Sequence, residues 1–307
     1  MPRHISIVFP GQGSQSIGML DNLPIDLVKK YKDDVIEALD FDLIEIITYG
    51  SNEDLNQTSI TQPAVLLTSF LYYEYISELL NIKPDLLCGH SLGEYTALLA
   101  GGALGLKDAL SLVHNRGLIM ETAETGQMYA ILNVNINLIN EICLKISNET
   151  NSIVSPANIN SPNQVVISGN TDAINLVISY LKEQGHKKSI KLNVTVPSHC
   201  KLMNKPASKF SKILDKTPLQ LPKYKVIHNI NSEISSSIED LKFNLTNQLT
   251  HPVRWVDTMN YIKKFNGIII ECGPGKVLAG LAKGNNINDN VYPTSSKEFI
   301  EEFKKIT

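Results

Sequence analysis

Apolar residues in this chain fall into short unbroken runs and longer periodic ones, and the two kinds alternate. Ile5-Ser6-Ile7-Val8-Phe9 is a short run closed by Pro10-Gly11, as expected of a buried strand ended by a turn. From Pro63 to Leu80 the apolar positions Leu66, Leu67, Phe70 and Leu71 share one helix face. Leu86-Leu87-Cys88 is a second strand-like run, Glu94 to Ala100 reads as a helix, and Leu106 to Thr122 as another. Helices alternating with short apolar strands predict a mostly parallel α/β sheet. Near Thr125 the rhythm changes. Met128 to Val134 reads as a strand and Leu138 to Ile146 as a helix. Strands over Ile153–Ile159 and Gln164–Ser168 are joined by the turn cluster Asn160-Ser161-Pro162-Asn163. A helix over Ala173–Gln184 stops at Gly185, and Ser189 to Val196 returns as a strand. The order β-α-β-β-α-β is the ferredoxin-like split unit. The expectation is an α/β fold with a large parallel-sheet domain at 1–124 and 197–307 and a small ferredoxin-like domain inserted at 125–196. Beyond the insert come a helix over Lys201–Asp215 interrupted near Pro206, strands at Lys225–His228 and Gly267–Glu271, and a Gly273-Pro274-Gly275 loop.

Composition narrows the class. With 307 residues the chain can bury a full core, and 43% hydrophobic with 19% charged residues is ordinary for a globular protein. A net charge of -3 gives no sign of nucleic-acid binding. The first apolar run is too short for a signal-peptide core, and no stretch reaches a membrane span, so the expected location is the cytoplasm. Cys88, Cys143, Cys200 and Cys272 are far apart with no C-x-x-C, which predicts free thiols in a reducing compartment and no zinc site.

Gly89-His90-Ser91-Leu92-Gly93 lies between a strand-like and a helix-like run, the context of a nucleophile elbow. Such a turn lifts the serine oxygen clear of the sheet and sets it at a helix N-terminus, where backbone N–H groups can receive an oxyanion. The N–H of Leu92 is one candidate donor. The glycine turn Gly11-Gln12-Gly13-Ser14-Gln15 after the first strand could bring the N–H of Gln12 as a second. This turn is not a dinucleotide fingerprint, because Ser16 stands at the third glycine position, and Gly273-Pro274-Gly275-Lys276 is not a phosphate loop. A serine nucleophile needs a base. His199, in the connection leaving the insert, is the preferred candidate among seven histidines. His90, adjacent to the serine, is read as structural and Cys200 as packing. No acid between Ser91 and His199 falls at a strand end of the main sheet, so a Ser–His dyad is expected, with the imidazole held by a backbone carbonyl or an amide.

Arg116 falls on the apolar stripe of its helix, three residues after Val113 and four before Met120. A buried guanidinium calls for an anionic partner, since breaking such a pair costs about 3–5 kcal/mol. That partner is either a carboxylate of the chain or one of a substrate, which the planar fork would hold by two parallel hydrogen bonds. From Lys187 to Lys225 there are ten lysines and one acid. Lys201, Lys205, Lys209, Lys212 and Lys216 recur at helical spacing, as on any solvated helix face. Flanking His199, the block would also attract an acidic or phosphorylated partner.

Taken together these motifs resemble the malonyl-CoA:acyl carrier protein transacylase family. The resemblance runs through Phe9-Pro10-Gly11-Gln12-Gly13-Ser14-Gln15, Gly89-His90-Ser91-Leu92-Gly93-Glu94, His114-Asn115-Arg116-Gly117, Asn158-Ile159-Asn160-Ser161-Pro162 and Val196-Pro197-Ser198-His199-Cys200. It continues in Asn247-Gln248-Leu249, Pro252-Val253-Arg254-Trp255 and Gly273-Pro274-Gly275-Lys276-Val277. It implies a hydrolase-like large domain, an acylated Ser91, His199 as its base and Arg116 holding the malonyl carboxylate. It also implies oxyanion N–H groups from Leu92 and Gln12, and a Gln248 whose backbone carbonyl orients His199. Lys187, Lys188, Lys201 and Lys205 would then face an acidic acyl carrier protein. The implied protein is a cytoplasmic monomer with no bound cofactor or metal, taking malonyl-CoA and a phosphopantetheine-bearing carrier as substrates in fatty acid synthesis. A serine hydrolase would share the serine and histidine but need no buried arginine. A docking module without catalysis would need none of the three residues.

Overall fold

The computed structural model describes residues 3–194 and 196–306. The larger sheet has five strands in the order β7-β2-β1-β8-β9, all parallel. They are β1 (Ile5–Phe9), β2 (Leu86–Gly89), β7 (Lys225–Ile227), β8 (Ile268–Glu271) and β9 (Val291–Pro293). The three central strands are apolar almost throughout, as strands covered on both faces must be. Helices cover them. Between β1 and β2 run α1 (Ile25–Lys30), α2 (Lys32–Leu39), α3 (Leu43–Tyr49), α4 (Asn52–Leu55) and the long, largely buried α5 (Thr58–Leu80). After β2 come α6 (Gly93–Ala100) and α7 (Leu106–Glu121).

The second sheet has four antiparallel strands in the order β4-β5-β3-β6. They are β3 (Gln127–Leu132), β4 (Val154–Ser161), β5 (Gln164–Gly169) and β6 (Ser189–Lys191), with α8 (Ile136–Thr150) and α9 (Thr171–Glu183) on one face. Along β3 the side chains alternate. Ile131 packs into the helix-covered core, whereas Met128 and Ala130 join Ala157 and Val166 on the opposite face, against the larger unit. The two units are stitched at the edge of β4, where Ile159 donates to the Val253 carbonyl at 2.9 Å and Val253 to that of Ala157 at 2.8 Å. This pairing also covers an otherwise open sheet edge. The chain then runs through a 3₁₀ turn (Lys201–Met203), α10 (Asn204–Leu214), β7, α11 (Ile238–Gln248), α12 (Trp255–Lys263), β8, α13 (Val277–Gly284), β9 and α14 (Phe299–Ile306).

Several elements differ from the sequence reading. Helix α5 starts five residues before Pro63, which lies inside it. The missing proline N–H leaves the Ser59 carbonyl without its usual helical donor, and the His114 ring takes that place at 2.8 Å. The break expected near Pro206 falls earlier, between the 3₁₀ turn and α10, because a proline in the first turn of a helix costs nothing. The strand expected over 189–196 pairs only across Ser189–Lys191; Thr195, within it, lies outside the described residues, as do Met1 and Pro2. No helix among the described residues is long and apolar enough to cross a membrane. All four cysteines are buried and free.

Candidate active site

The C-terminal ends of β1, β2 and β7 converge. Phe9 pairs in register with Gly89, and the chain after β7 continues into His228 and Asn229. In open parallel sheets this end, where successive connections leave to opposite sides of a strand, forms a crevice. Here β1 is that strand, with β2 on one side and β8 on the other.

The elbow is built by sterics. Ser91 has φ +51°, the left-handed region that non-glycine residues seldom occupy. A Cβ at Gly93 would fall on the Phe9 carbonyl and one at Gly89 on the Gly93 backbone, so glycine is required on both sides. Leu92 is the N-cap of α6, where first-turn N–H groups have no intrahelical acceptor. Gly11, also too close to the His90 carbonyl to carry a Cβ, brings the Gln12 loop against the elbow. Gln12, His90, Asn160, Ala130, Val166 and Leu281 contribute to a cavity of about 210 Å³ between the two units.

Ser91 Oγ lies 2.8 Å from His199 Nε2. His199 Nδ1 lies 2.7 Å from the Gln248 carbonyl, which can only accept. Nδ1 therefore carries the hydrogen, and the lone pair of Nε2 faces the serine hydroxyl. His199 also has a left-handed backbone, φ +61°, and its N–H donates to the Leu249 carbonyl at 2.9 Å. Two successive carbonyls at the end of α11 thus hold the ring and its backbone. Burial, and then the Arg116 charge, push the His199 pKa down to about 3, against the opposing pull of the Gln248 carbonyl. The imidazole is neutral across the physiological range and can accept a proton without first losing one. Acylation measured as kcat/KM, which reports the free enzyme, is accordingly expected to change by less than about threefold from pH 8 to pH 5. A histidine of ordinary pKa would lose about thirtyfold over that span. A stopped-flow pH series of Ser91 acylation checks this.

Arg116 is 1% exposed. Its NH1 group donates to Gln62 Oε1 at 2.7 Å and NH2 to Gln248 Oε1 at 2.9 Å. Neither partner is the anion expected from sequence. Among the described residues no acid pairs with Arg116, and its Nε has no hydrogen-bond partner. The two amides hold the fork in place without neutralising it. Gln248 joins the site's parts, since its Oε1 receives Arg116, its backbone carbonyl receives His199, and its Nε2 donates to the Ser91 carbonyl at 3.0 Å.

Of the other residues singled out, His90 places Nε2 2.8 Å from Asn160 Oδ1 and its ring edge-on to Trp255, away from the serine. Cys200 is buried, and burial pushes its thiol pKa up, which disfavours the nucleophilic thiolate. Lys187, Lys188, Lys201 and Lys205 are exposed; Lys205 reaches the equally exposed Glu124 at 3.4 Å. Gln62 and Asn229 belong to the site but carry no pattern of their own, whereas Asn160 stood in a turn cluster read without a role at the site. The signal that could have found Gln62 is a polar residue directly before the stretch Pro63 to Leu67 at the start of a strongly apolar helix. Among the described residues no group of three or more His, Cys, Asp or Glu is disposed to hold a metal.

A serine hydroxyl hydrogen-bonded to a neutral imidazole at an elbow, beside a buried and unneutralised guanidinium, defines an acyl-transfer enzyme for acids. The acyl transferase domain family matches residues 7–284. The chain is 37% identical to the malonyl CoA-acyl carrier protein transacylase of Haemophilus influenzae, covering 98% of this chain and 99% of that one. The solved transacylase of the same description from Coxiella burnetii superposes with a TM-score of 0.94 at 36% identity, covering 99% and 98% of the two chains. A malonyl-transacylase solved in complex with a type II polyketide-synthase acyl-carrier protein gives 0.92 at 35% identity, over 98% and 99%. This chain belongs to the malonyl-CoA:acyl carrier protein transacylase family and is an acyltransferase.

Proposed function

We propose that the protein moves a malonyl group from malonyl-CoA to the phosphopantetheine thiol of an acyl carrier protein, supplying fatty acid synthesis, through an ester on Ser91. The observation that carries this reading is the Arg116 fork, buried beside the dyad, held by two amide oxygens and the Tyr95 ring and paired with no acid among the described residues. A malonyl carboxylate would complete it with charge-assisted hydrogen bonds.

In the first half-reaction His199 Nε2 takes the Ser91 proton as Oγ attacks the thioester carbonyl. The N–H groups of Leu92 and Gln12 receive the oxyanion. The tetrahedral adduct collapses, the C–S bond breaks, and imidazolium returns its proton to the departing CoA thiolate. In the second, His199 takes the proton of the carrier thiol, sulfur attacks the malonyl ester, and the proton goes back to Ser91 Oγ. These are the two displacements of ping-pong transfer. Side chains and backbone donors carry every proton and charge in the scheme. Water attack on the same ester is the hydrolase alternative, which differs only in the acceptor of the second step.

The carrier would dock on the lysine-bearing face around Lys187, Lys188, Lys201 and Lys205, where a positive field meets an acidic partner. Steady-state transfer from malonyl-CoA to a phosphopantetheine-bearing carrier tests both the pairing and the face. The initial-velocity plots should be parallel. Replacing Lys201 and Lys205 by Glu should raise KM for the carrier by about tenfold at low salt while KM for malonyl-CoA moves less than about threefold. Intersecting plots, or equal effects on both constants, would speak against the scheme.

A further inference from the structure

Glu94 is fully buried in the first turn of α6, three residues after the candidate nucleophile, and the transfer scheme gives it no task. Its Oε2 receives the backbone N–H of Asn229 at 3.0 Å and Gln248 Nε2 at 2.7 Å. Its Oε1 lies 2.6 Å from His228 Nδ1. The far side of that imidazole, Nε2, lies 2.7 Å from Ser235 Oγ, which itself receives Asn244 Nδ2 at 3.0 Å. One assignment satisfies the chain: Asn244 donates to Ser235, Ser235 to His228, and His228 to Glu94. The carboxyl group thus accepts from three sides and is fixed from each.

Two arms lead from it to the same residue, Ser91. Asn229, held at its N–H by Glu94, accepts the Ser91 N–H on Oδ1 at 2.7 Å and donates Nδ2 to the Gly89 carbonyl at 2.7 Å. Gln248, held at Nε2 by Glu94, donates from the same nitrogen to the Ser91 carbonyl at 3.0 Å. Both backbone polar groups of Ser91 are therefore clamped by partners that Glu94 orients. A residue at φ +51° is strained, and such strain persists only where surrounding contacts over-determine it. The second arm also reaches the base, because the Gln248 carbonyl receives His199 Nδ1.

We propose that Glu94 and Asn229 form a positioning pair for the acylation step, Glu94 orienting Asn229 and Gln248 so that Ser91 Oγ stays in its left-handed pose against His199. The proposal rests on the reading that Ser91 is the acylated residue. Neither member touches the reacting atoms. The Asn229 arm ends on the elbow, so its effect belongs to the rate of bond formation and not to the grip on malonyl-CoA, which falls to Arg116; the Gln248 arm also meets Arg116 and can move both.

The test is pre-steady-state acylation of Glu94→Gln and Asn229→Ala by malonyl-CoA, below each variant's melting temperature. In Glu94→Gln one oxygen becomes an NH₂ facing donors; Asn229→Ala removes the acceptor for the Ser91 N–H. The saturating acylation rate should fall about a hundredfold in each, as for displacement of a reacting group by about 1 Å, while in Asn229→Ala the half-saturating concentration moves less than about threefold. Phenylmethylsulfonyl fluoride, which carries no carboxylate for Arg116, should modify Ser91 more slowly in both variants by a similar factor. Folded variants that acylate within about threefold of the unaltered enzyme, or that lose only half-saturation, would overturn the pair. If Glu94→Gln does not fold, Asn229→Ala decides on the same criterion. Absence of a Ser91 adduct in the unaltered enzyme is a different result, which overturns the transferase reading and the pair with it.

Discussion

Ser91→Ala should abolish malonyl transfer while leaving the fold intact. The substitution removes one hydroxyl, whose hydrogen bond is the 2.8 Å contact to His199 Nε2. The elbow backbone, its glycines and the Asn229 and Gln248 bonds to the Ser91 peptide remain. Loss of a serine nucleophile from a comparable dyad or triad costs about 10⁶-fold in kcat, so transfer should drop below detection. The melting temperature should stay close to that of the unaltered protein. Cys200 cannot substitute, being buried with a raised pKa. Radiolabelled malonyl transfer to carrier, read alongside a thermal melt, separates loss of chemistry from loss of fold. Residual transfer within about a hundredfold would place the nucleophile elsewhere.

Arg116→Ala should divide the substrates. Hydrogen bonds to charged groups contribute about 1.5–3 kcal/mol each. Removing a two-pronged hold on a carboxylate should therefore lower kcat/KM for malonyl-CoA by about 10²–10⁴-fold, with RT setting the conversion. Acetyl-CoA has no carboxylate to lose. In the unaltered enzyme its methyl group meets a buried charge, so acetyl transfer should hold or rise. The variant also leaves Gln62 Oε1 and Gln248 Oε1 without their donor. An equal fall for both substrates would mean that the guanidinium serves Gln248 and the fold and not substrate choice. Competition between the two thioesters, scored by product mass, reads the ratio directly.

What was legible in the sequence was local. Gly89-His90-Ser91-Leu92-Gly93 reads as an elbow because the motif is contiguous and lies between a strand-like and a helix-like run, although the contact that demands Gly93 comes from Phe9 on the neighbouring strand. The burial of Arg116 follows from helix phase alone. The small antiparallel unit shows in a change of period and a clear turn at Asn160–Asn163. The helices between residues 25 and 55 escaped the reading because they run only four to eight residues, too short to show a period, although Asp42 and Ser51 cap two of them through side-chain oxygens. Gln62, Asn229 and the second contact of Glu94 escaped for a different reason. Their roles depend on contacts across 54, 138 and 154 residues, and no local period encodes such a separation. The sequence left open whether the anion facing Arg116 belongs to the chain or to a substrate; the amide oxygens that hold the fork come from two helices distant in sequence, which no local pattern reveals.

The most direct test of the central claim is an intact-mass measurement on the protein mixed with malonyl-CoA alone, followed by peptide mapping and then by addition of phosphopantetheine-bearing carrier. The account predicts a single malonyl adduct on Ser91 that persists without carrier and passes to the carrier thiol when it is added. An adduct on Cys200, no adduct, or one lost to water as fast without carrier as with it would contradict the account.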